Sequence, residues 1–402
     1  MRGLPRELPP TAGLPLRLAD LRPSRADLAA ILAGQLQTPP LQLTCSGTAA
    51  LLLALRVLHA RQPGRSVVVV PAYTCPLVAI AVHQAGLQLR LCDLRPGHFD
   101  MDPQALAAAC GEDTLAVLPT HLAGRVADVG TALAVAARSE AFVIEDAAQA
   151  LGARSGGTSV GLRGDVGFFS LAAGKGLSIF EGGLLVSRDA SLREALREAA
   201  EQQVPHRRAW EARRSVELLG LAALYRPRGL AFAYGRPLRR ALRRGDPVAA
   251  VGDAFPAGIP LHRVGRWRQA VGANAAGRLP GFLATLERQA KARLARLRAI
   301  AGVEVFDDAP DTQGSWPCLL LQLPDERCRD RVLAQLWTRG LGVSRLFIHA
   351  LPDYAYLADR VPPAPVPNAR AFAQRTLTIG NSPWLDAATF ERIATVIERA
   401  VS

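Results

Sequence analysis

Lysine is nearly absent from this 402-residue chain, because 46 of its 48 basic residues are arginines. Arginine stays protonated in proteins, whereas lysine can lose its proton and attack a carbonyl carbon to form a Schiff base. A lysine that arginine has not replaced is therefore a candidate for chemistry. Lys175 lies in a glycine-rich stretch and is that candidate. Lys291 lies in a predicted amphipathic helix and is interpreted as surface charge.

Other residue types and patterns are also scarce, and each absence excludes a class of protein. The six cysteines are scattered and form no CxxC pair or Cys/His cluster, which argues against a zinc module and against a disulfide scaffold. No apolar run has the length of a membrane span, and the N-terminal residues lack the apolar core of a signal peptide. We therefore expect a reduced, cytoplasmic protein without a metal site.

The charge of the chain is strongly positive, at +13. Such a charge raises the possibility of nucleic-acid binding, but the arginines are spread through the chain, aromatic residues make up 5%, and no nucleic-acid motif is present. We expect no nucleic-acid partner. A basic surface also suits a phosphorylated small-molecule substrate.

Helices and short apolar strands alternate through the first half of the chain. This alternation predicts an α/β protein with a mainly parallel sheet and helices on both faces. The predicted strands are residues 66–70, 87–92, 115–119, 141–145 and 184–187, and the predicted helices are residues 48–60, 76–84, 103–110 and 128–138. Sites in such sheets lie at the carboxyl ends of the strands.

The second half of the chain predicts a smaller α+β unit. A long helix over residues 280–300 precedes two strands and two further helices. We therefore predict a large domain over residues 1–265 and a small domain over residues 266–402.

The segment 202–262 interrupts the alternation and is rich in arginine. One interpretation is a helical pair packed on the body of the protein or on a dimer partner. The alternative is weak association with an anionic membrane surface through residues 216–244, which combine apolar and basic side chains.

Four features in the first half follow an order that suggests one site. Ser46-Gly47-Thr48 opens a predicted helix, whose free N–H groups suit a phosphate, although these residues are also ordinary N-caps. Asp146 follows a buried strand and could keep a pyridinium nitrogen protonated, or could cap a helix. Lys175 comes next. The glycines of Glu181–Gly183 would allow a tight turn into the following strand.

At these positions the chain resembles the DegT/StrS family of pyridoxal-phosphate-dependent sugar aminotransferases, which have the type I aminotransferase fold. The resemblance runs from about residue 30 to 190. It is carried by Ser46–Ala50, Pro71–Thr74, Asp93, Pro119–Gly124, Glu145–Gln149, Gly161–Gly167, Phe169-Ser170, Lys175 and Glu181–Gly183. The resemblance implies a seven-stranded sheet in the large domain and pyridoxal 5'-phosphate as the cofactor.

The resemblance also implies roles for individual residues. Lys175 would form the Schiff base with the cofactor and then transfer protons. Asp146 would pair with the ring nitrogen, and Gln149 would lie near the phenolic oxygen. The residues that would hold the phosphate are Gly47, Thr48 and Ser170.

Three positions need separate comment. Cys75 occupies a cofactor-binding position that is often aromatic in the family, so ring stacking would be weaker or supplied by Tyr73. His121 and His349 lie in segments that approach the cleft, and we interpret them as structural or substrate-lining residues rather than catalytic ones.

The function implied is amino transfer from an amino acid, with glutamate the usual donor, to a nucleotide-linked keto sugar by a homodimer. The product would enter glycan, polysaccharide or secondary-metabolite biosynthesis. Two alternatives stay open. One is amination of a non-sugar carbonyl compound, such as a cyclitol, or of a lipid-linked one at a membrane surface. The other is a non-catalytic regulator that binds the cofactor.

Overall fold

The computed structural model describes residues 5–402. The strands are β1 (Gln42–Thr44), β2 (Val67–Pro71), β3 (Gln88–Cys92), β4 (Thr114–Val117), β5 (Phe142–Asp146), β6 (Arg154–Ser155), β7 (Thr158–Ser159), β8 (Val166–Ser170), β9 (Gly183–Val186), β10 (Glu304–Val305), β11 (Thr312–Gln313), β12 (Cys318–Gln322), β13 (Val343–Ser344) and β14 (Thr376–Gly380). The α-helices are α1 (Leu28–Leu36), α2 (Gly47–Arg61), α3 (Pro76–Gln84), α4 (Pro103–Ala109), α5 (Val129–Arg138), α6 (Ala190–Gln203), α7 (Arg208–Leu224), α8 (Pro227–Leu230), α9 (Arg236–Arg243), α10 (Pro247–Val251), α11 (Arg266–Ala276), α12 (Leu279–Arg298), α13 (Glu326–Leu336), α14 (Pro367–Arg375) and α15 (Ala387–Val401).

A seven-stranded sheet with the order β1-β9-β8-β5-β4-β2-β3 forms the centre of the protein. The pairs from β8 to β3 are parallel, and β9 pairs antiparallel with both β8 and β1. Every residue of β2 and β8 is buried, as continuous apolar strands covered on both faces should be. The predicted α/β class and mainly parallel sheet are confirmed.

The predicted strands and helices of the first half match observed elements to within a few residues. The edge strand β1 was not predicted, because three residues give too short a pattern to separate from a loop. It pairs with β9, which brings the start of α2 beside the sheet.

A second, antiparallel sheet with the order β10-β12-β14-β13 lies in the C-terminal part. Its two central strands, β12 and β14, are fully buried, and α13 packs against α15 and β13. The small strand β11 pairs with β6, so the C-terminal part also contacts the first half of the chain. The domain boundary at residue 265 stays a prediction.

The segment 202–262 forms helices α7–α10, with a π-helical turn at Ala231–Gly235 between α8 and α9. It packs on the body of the protein. The Tyr225 hydroxyl accepts a hydrogen bond from the Gly13 nitrogen (2.8 Å), and Arg239 pairs with the buried Glu7 at 2.7 Å. Within the described residues, no helix is long and apolar enough to cross a membrane.

Candidate active site

A cavity of about 370 Å³ opens at the carboxyl edge of the main sheet. The ends of β5 and β8 and the first turn of α2 form one side. The segment 202–262 and the loop after β13 contribute to another side. Its charged lining residues are Asp146, Lys175, Asp253 and Arg345. This position at the strand ends is the one that the parallel sheet predicts.

Lys175 lies in the turn that follows β8 and lines this cavity. The flanking Gly174 and Gly176 have φ angles of +78° and +55°, a backbone region that glycine adopts without strain. Burial lowers the pKa of the Lys175 amine, and the nearby Cys75 and Asp146 oppose that shift. None of the ion pairs found in residues 5–402 involves Lys175. The amine is therefore available for reaction.

Asp146 ends β5 and is 4% exposed. Its Oδ1 accepts a hydrogen bond from the Ala148 nitrogen (3.0 Å), and no hydrogen bond from the described residues reaches Oδ2. Burial raises the pKa of Asp146, opposed by the Ala148 hydrogen bond and by Lys175. A cationic N–H in the cavity would favour the ionised carboxylate and would occupy the unshared oxygen.

The first turn of α2 supplies N–H groups to the cavity. Ser46 is the N-cap, and its hydroxyl accepts a hydrogen bond from the Ala49 nitrogen (3.0 Å). The N–H groups of Gly47 and Thr48 have no intrahelical acceptor at these positions. A Cβ at Gly47 would lie 3.1 Å from the Ser170 Cβ, so glycine permits the close approach of α2 to the end of β8. The N–H groups, the helix dipole and the Ser170 hydroxyl together suit a phosphate.

The remaining predicted cofactor residues also line the cavity. The Gln149 Oε1 accepts a hydrogen bond from the Ala123 nitrogen (2.8 Å), which fixes its side chain. Cys75 is the N-cap of α3, and burial raises the pKa of its thiol to about 12, so the side chain is neutral and apolar at physiological pH. Thr74 and Thr120 lie beside them, with their hydroxyl oxygens 3.5 Å apart.

The hypothesis that Tyr73 supplies ring stacking is wrong. Tyr73 is 1% exposed and lies outside the cavity lining. Its ring packs edge-on against Phe347 and Phe372, with centroids 5.5 and 5.1 Å away, and its hydroxyl bonds the Phe347 backbone. The aromatic ring is part of the hydrophobic core, where it gains more burial than it would in an open cleft.

The two histidines lie outside the cavity lining. His121 is fully buried. Its Nδ1 accepts a hydrogen bond from the Ala127 nitrogen (3.0 Å), which leaves Nε2 as the donor of the ring. Nε2 lies 3.0 Å from Glu145 Oε2. Glu145 also accepts hydrogen bonds from three backbone nitrogens, of Gly161, Arg163 and Gly164. Its role is to hold that loop. The ring of His349 packs edge-on against Tyr354 at 5.3 Å.

The glycine turn before β9 differs from the prediction. Phe180, rather than Gly182 or Gly183, has the positive φ angle, at 71°. Glycine is needed at 183 for space, because a Cβ there would lie 2.6 Å from the Gly47 nitrogen and closer still to the Ser46 carbonyl. The sequence indicated correctly that glycine is needed before β9. The reason is the lack of space for a side chain at residue 183, and not a tight turn that requires a positive φ angle.

The structure brings residues into the cavity that the sequence did not predict. Asp253 and Phe255 come from the end of the segment 202–262, and Tyr234 comes from its π-helical turn. Arg345 follows β13. In the sequence, the available signal for Asp253 was the glycine before it, Gly252, which has a φ angle of +83° in the structure. A single Gly-Asp pair is common in loops and does not by itself indicate a site.

These residues fit pyridoxal phosphate. An amine without an ion pair, a carboxylate with one unshared oxygen and a helix N-terminus line the same cavity. They match an aldehyde, a ring nitrogen and a phosphate, respectively. The fold and this site define the class of protein as a type I aminotransferase-like α/β protein.

The family follows from comparison with known proteins. The model of the DegT/DnrJ/EryC1/StrS aminotransferase family matches residues 34–223. The sequence of this stretch, just under half of the chain, therefore matches the family whose resemblance the sequence analysis described.

Similar proteins include Protein MosB of Rhizobium meliloti, 39% identical over 160 residues, which are 40% of this chain and 31% of that protein. The chain thus matches about a third of that relative's length. A dTDP-3-amino-3,4,6-trideoxy-alpha-D-glucose transaminase of Streptomyces venezuelae is 29% identical over 345 residues, covering 85% of this chain and 77% of that protein. The crystal structure of S. venezuelae DesV superposes with a TM-score of 0.70 at 24% identity, over 92% of this chain and 87% of that chain.

Proposed function

We propose that this chain is an aminotransferase that uses pyridoxal phosphate to move an amino group from an amino acid, with glutamate the first candidate, to a nucleotide-linked keto sugar. The observation that carries the proposal is the shared cavity of Lys175 and Asp146 beside the first turn of α2. Neither of the two side chains is in an ion pair with a described residue, so both are available to a ligand.

The residues that would hold the cofactor follow from this arrangement. Gly47, Thr48 and Ser170 would bind the phosphate, and Asp146 would bind the ring nitrogen. Gln149 lies on the same cavity and would approach the phenolic oxygen. The apolar Cys75 would contact the ring in place of an aromatic side chain, which gives less stacking area.

Bound pyridoxal phosphate supplies an electron sink that acidifies the C–H bond next to the reacting nitrogen. Lys175 would hold and move the proton at that carbon, and burial, which lowers its pKa, favours the neutral amine. Asp146 would keep the ring nitrogen protonated through its unshared Oδ2. The buried wall formed by β5 and β8 would exclude water from these groups.

The substrate class is supported by the named relative and by charge. The Streptomyces venezuelae transaminase that covers most of this chain is named for a dTDP-linked amino sugar. A formal charge of +13 also favours the approach of a phosphorylated substrate. Products of this kind would enter glycan, polysaccharide or secondary-metabolite biosynthesis.

The first experiment is the visible absorbance spectrum of the purified protein with pyridoxal phosphate, before and after addition of L-glutamate. We expect a visible band that L-glutamate bleaches. A protein that forms no band would contradict the proposal. A band that no amino acid bleaches would favour the regulatory alternative.

We propose in addition a cytoplasmic homodimer, on the strength of the family resemblance. Sedimentation velocity of the holoprotein would measure its mass, and a monomer at micromolar concentration would contradict this part.

The segment 202–262 supports a secondary proposal of weak membrane association. Its exposed apolar side chains are Val216, Leu219, Leu224 and Phe232, and arginines neighbour them in the sequence. We expect low-salt binding to phosphatidylglycerol vesicles, weaker binding to phosphatidylcholine vesicles, and a loss of binding in a Val216→Ser/Phe232→Ser variant. If equal amounts of protein bound to both kinds of vesicle, an electrostatic contribution to membrane binding would be contradicted.

A further inference from the structure

One part of the cavity wall comes from the segment that interrupts the regular fold. The segment 202–262 supplies Tyr234, Val251, Gly252, Asp253 and Phe255 to the lining. Asp253 is the only charged residue of this set. Because cofactor-binding residues occupy the ends of β5 and β8, this part of the wall is free to contact another ligand.

The Asp253 carboxyl is held in place by two hydrogen bonds. Its Oδ2 accepts from the Tyr354 hydroxyl (2.7 Å) and from the Ile348 nitrogen (3.0 Å). Its own backbone nitrogen donates to the Val248 carbonyl (2.9 Å). Gly252, in the left-handed region, ends α10 and directs the chain into this position.

The second carboxyl oxygen of Asp253 is left for a ligand. No donor among residues 5–402 makes a hydrogen bond to Oδ1, and Asp253 forms no ion pair with a residue of the described chain. Asp253 is 4% exposed, and burial raises the pKa of this carboxyl to about 6. The unshared oxygen is not among the fully buried atoms that lack a partner, and Asp253 lines the cavity, so a donor on a ligand can reach it.

We infer that Asp253 is a specificity-determining residue whose Oδ1 accepts a hydrogen bond from a hydroxyl group of the compound that is aminated. This inference rests on the proposed function. The ligand class is a polyhydroxylated ring compound. A dicarboxylic amino donor carries no hydroxyl for Asp253 and is repelled by its charge, so the residue separates the two substrates of one site.

The test compares two ring amines that differ only in hydroxyl groups. Cyclohexylamine carries none, and scyllo-inosamine carries one on each of its remaining ring carbons. The dissociation constant of each is measured from the change that it causes in the visible band of the holoprotein. The comparison uses the wild-type chain, Asp253→Asn and the control Asp113→Asn, whose carboxylate pairs with Arg90 at the surface.

Asp253→Asn keeps an oxygen for the Tyr354 and Ile348 donors, so it is expected to fold, and it replaces the charged Oδ1 acceptor by an NH2 group. We expect the wild-type protein to prefer scyllo-inosamine, and Asp253→Asn to reduce that preference on the order of tenfold. The response to L-glutamate should not weaken. Asp113→Asn should match the wild type. Asp253→Ser, which removes the carboxyl entirely, should lose the preference as well.

Two results would overturn the inference. The first is a wild-type protein without preference for the hydroxylated ring. The second is an equal weakening of both amines and of L-glutamate in Asp253→Asn, which would make Asp253 a purely structural residue. Failure of the proposed function looks different, because the protein would then lack the visible band or its response to L-glutamate.

Discussion

The two sides of the cavity are built in different ways. The side formed by the main sheet, here called the sheet wall, carries Asp146, Ser170 and Lys175 at or just after the ends of β5 and β8. The side formed by loops, here called the loop wall, carries Asp253 and Arg345. The sheet wall is fixed by fully buried strands, whereas hydrogen bonds between loops fix the loop wall.

This difference separates two tasks. Residues at the ends of packed strands cannot shift without disturbing the core, which suits groups that must hold a cofactor in one geometry. Loops tolerate replacement, which suits groups that select a substrate. Changes in the sheet wall should therefore affect every reaction of the protein, and changes in the loop wall should affect the choice among substrates.

Replacing Lys175 gives the largest expected effect on the sheet wall. In Lys175→Ala the amine that bonds the cofactor and moves the proton is gone, so the rate of the L-glutamate half-reaction should fall by more than about 10³-fold. Stopped-flow absorbance measures that rate. Lys175→Arg should fail equally, since arginine keeps its proton.

The matched control is Lys291→Ala. Lys291 is 60% exposed and pairs with Glu287 on the same helix, as the prediction of surface charge requires. Its loss should leave the rate unchanged. Transamination retained in Lys175→Ala would remove the central assignment.

Replacing Asp146 should have the next largest effect. Asp146→Asn leaves a neutral amide opposite the ring nitrogen, which no longer favours its protonated form, and the rate should fall about 10²-fold for L-glutamate and for carbonyl acceptors alike. Single-turnover rates in both directions measure this. If Asp146→Asn lowered only the rate with carbonyl acceptors, Asp146 would act in substrate choice, as the loop wall is expected to do. The distinction between the two walls would then be wrong.

Gly183 tests how tightly the sheet wall is packed. Gly183→Ala would place a methyl group against the Ser46 carbonyl and 2.6 Å from the Gly47 nitrogen. Since backbone cannot move aside cheaply, the free energy of unfolding should fall by about 3 kcal/mol. Urea denaturation measures the change.

Gly281→Ala is the control, because Gly281 lies within α12 and, outside its chain neighbours and its own helix backbone, no described atom lies within 4 Å of a Cβ built there. It should be neutral or stabilising by up to ~1 kcal/mol. Equal destabilisation by both substitutions would mean that the start of α2 can shift away from β9.

The sheet wall was predictable from the sequence and the loop wall was not. Short apolar strands between helices predict a parallel sheet with Asp146 at its carboxyl edge. β8 was not among the predicted strands, and the family resemblance placed Lys175 at the cofactor. The carboxyl of Asp253 is held on the cavity wall by Tyr354 and the Ile348 nitrogen, which lie far along the chain. Local pattern carries no information about such contacts.

The Tyr73 hypothesis failed for a related reason. A tyrosine beside a cofactor position can face the cavity or the core, and sequence position does not distinguish the two. The packing of Phe347 and Phe372, both from the C-terminal half, draws the ring into the core.

The pH dependence of stability tests the buried charge of the loop wall and gives the smallest expected effect. Burial raises the pKa of Asp253 from 3.8 to about 6, opposed by Tyr354, the Ile348 nitrogen, Arg345 and Lys175. The charge of this carboxyl also acts on three other titratable groups, Tyr73, Cys75 and Tyr356, and raises the pKa of each. Between pH 3.8 and 6 the folded state holds a proton that the unfolded state releases, so this carboxyl stabilises the fold below that window and loses its contribution as the pH rises through it.

Asp253→Asn does not titrate, so the apoprotein variant should gain roughly 2 kcal/mol relative to the wild type between pH 4 and pH 7, as measured by urea denaturation. Asp189→Asn is the opposite case. The Leu192 backbone hydrogen bond, the largest cause, lowers the pKa of the exposed Asp189, so its stabilising contribution is present at neutral pH and is lost only as the pH falls below its ordinary value. For each variant, the measured quantity is its free energy of unfolding minus that of the wild type, as a function of pH. The two differences should change in separate pH ranges and in opposite directions. A flat curve for Asp253→Asn would mean that water reaches this carboxyl freely, and the loop wall would then lack the buried charge that distinguishes substrates.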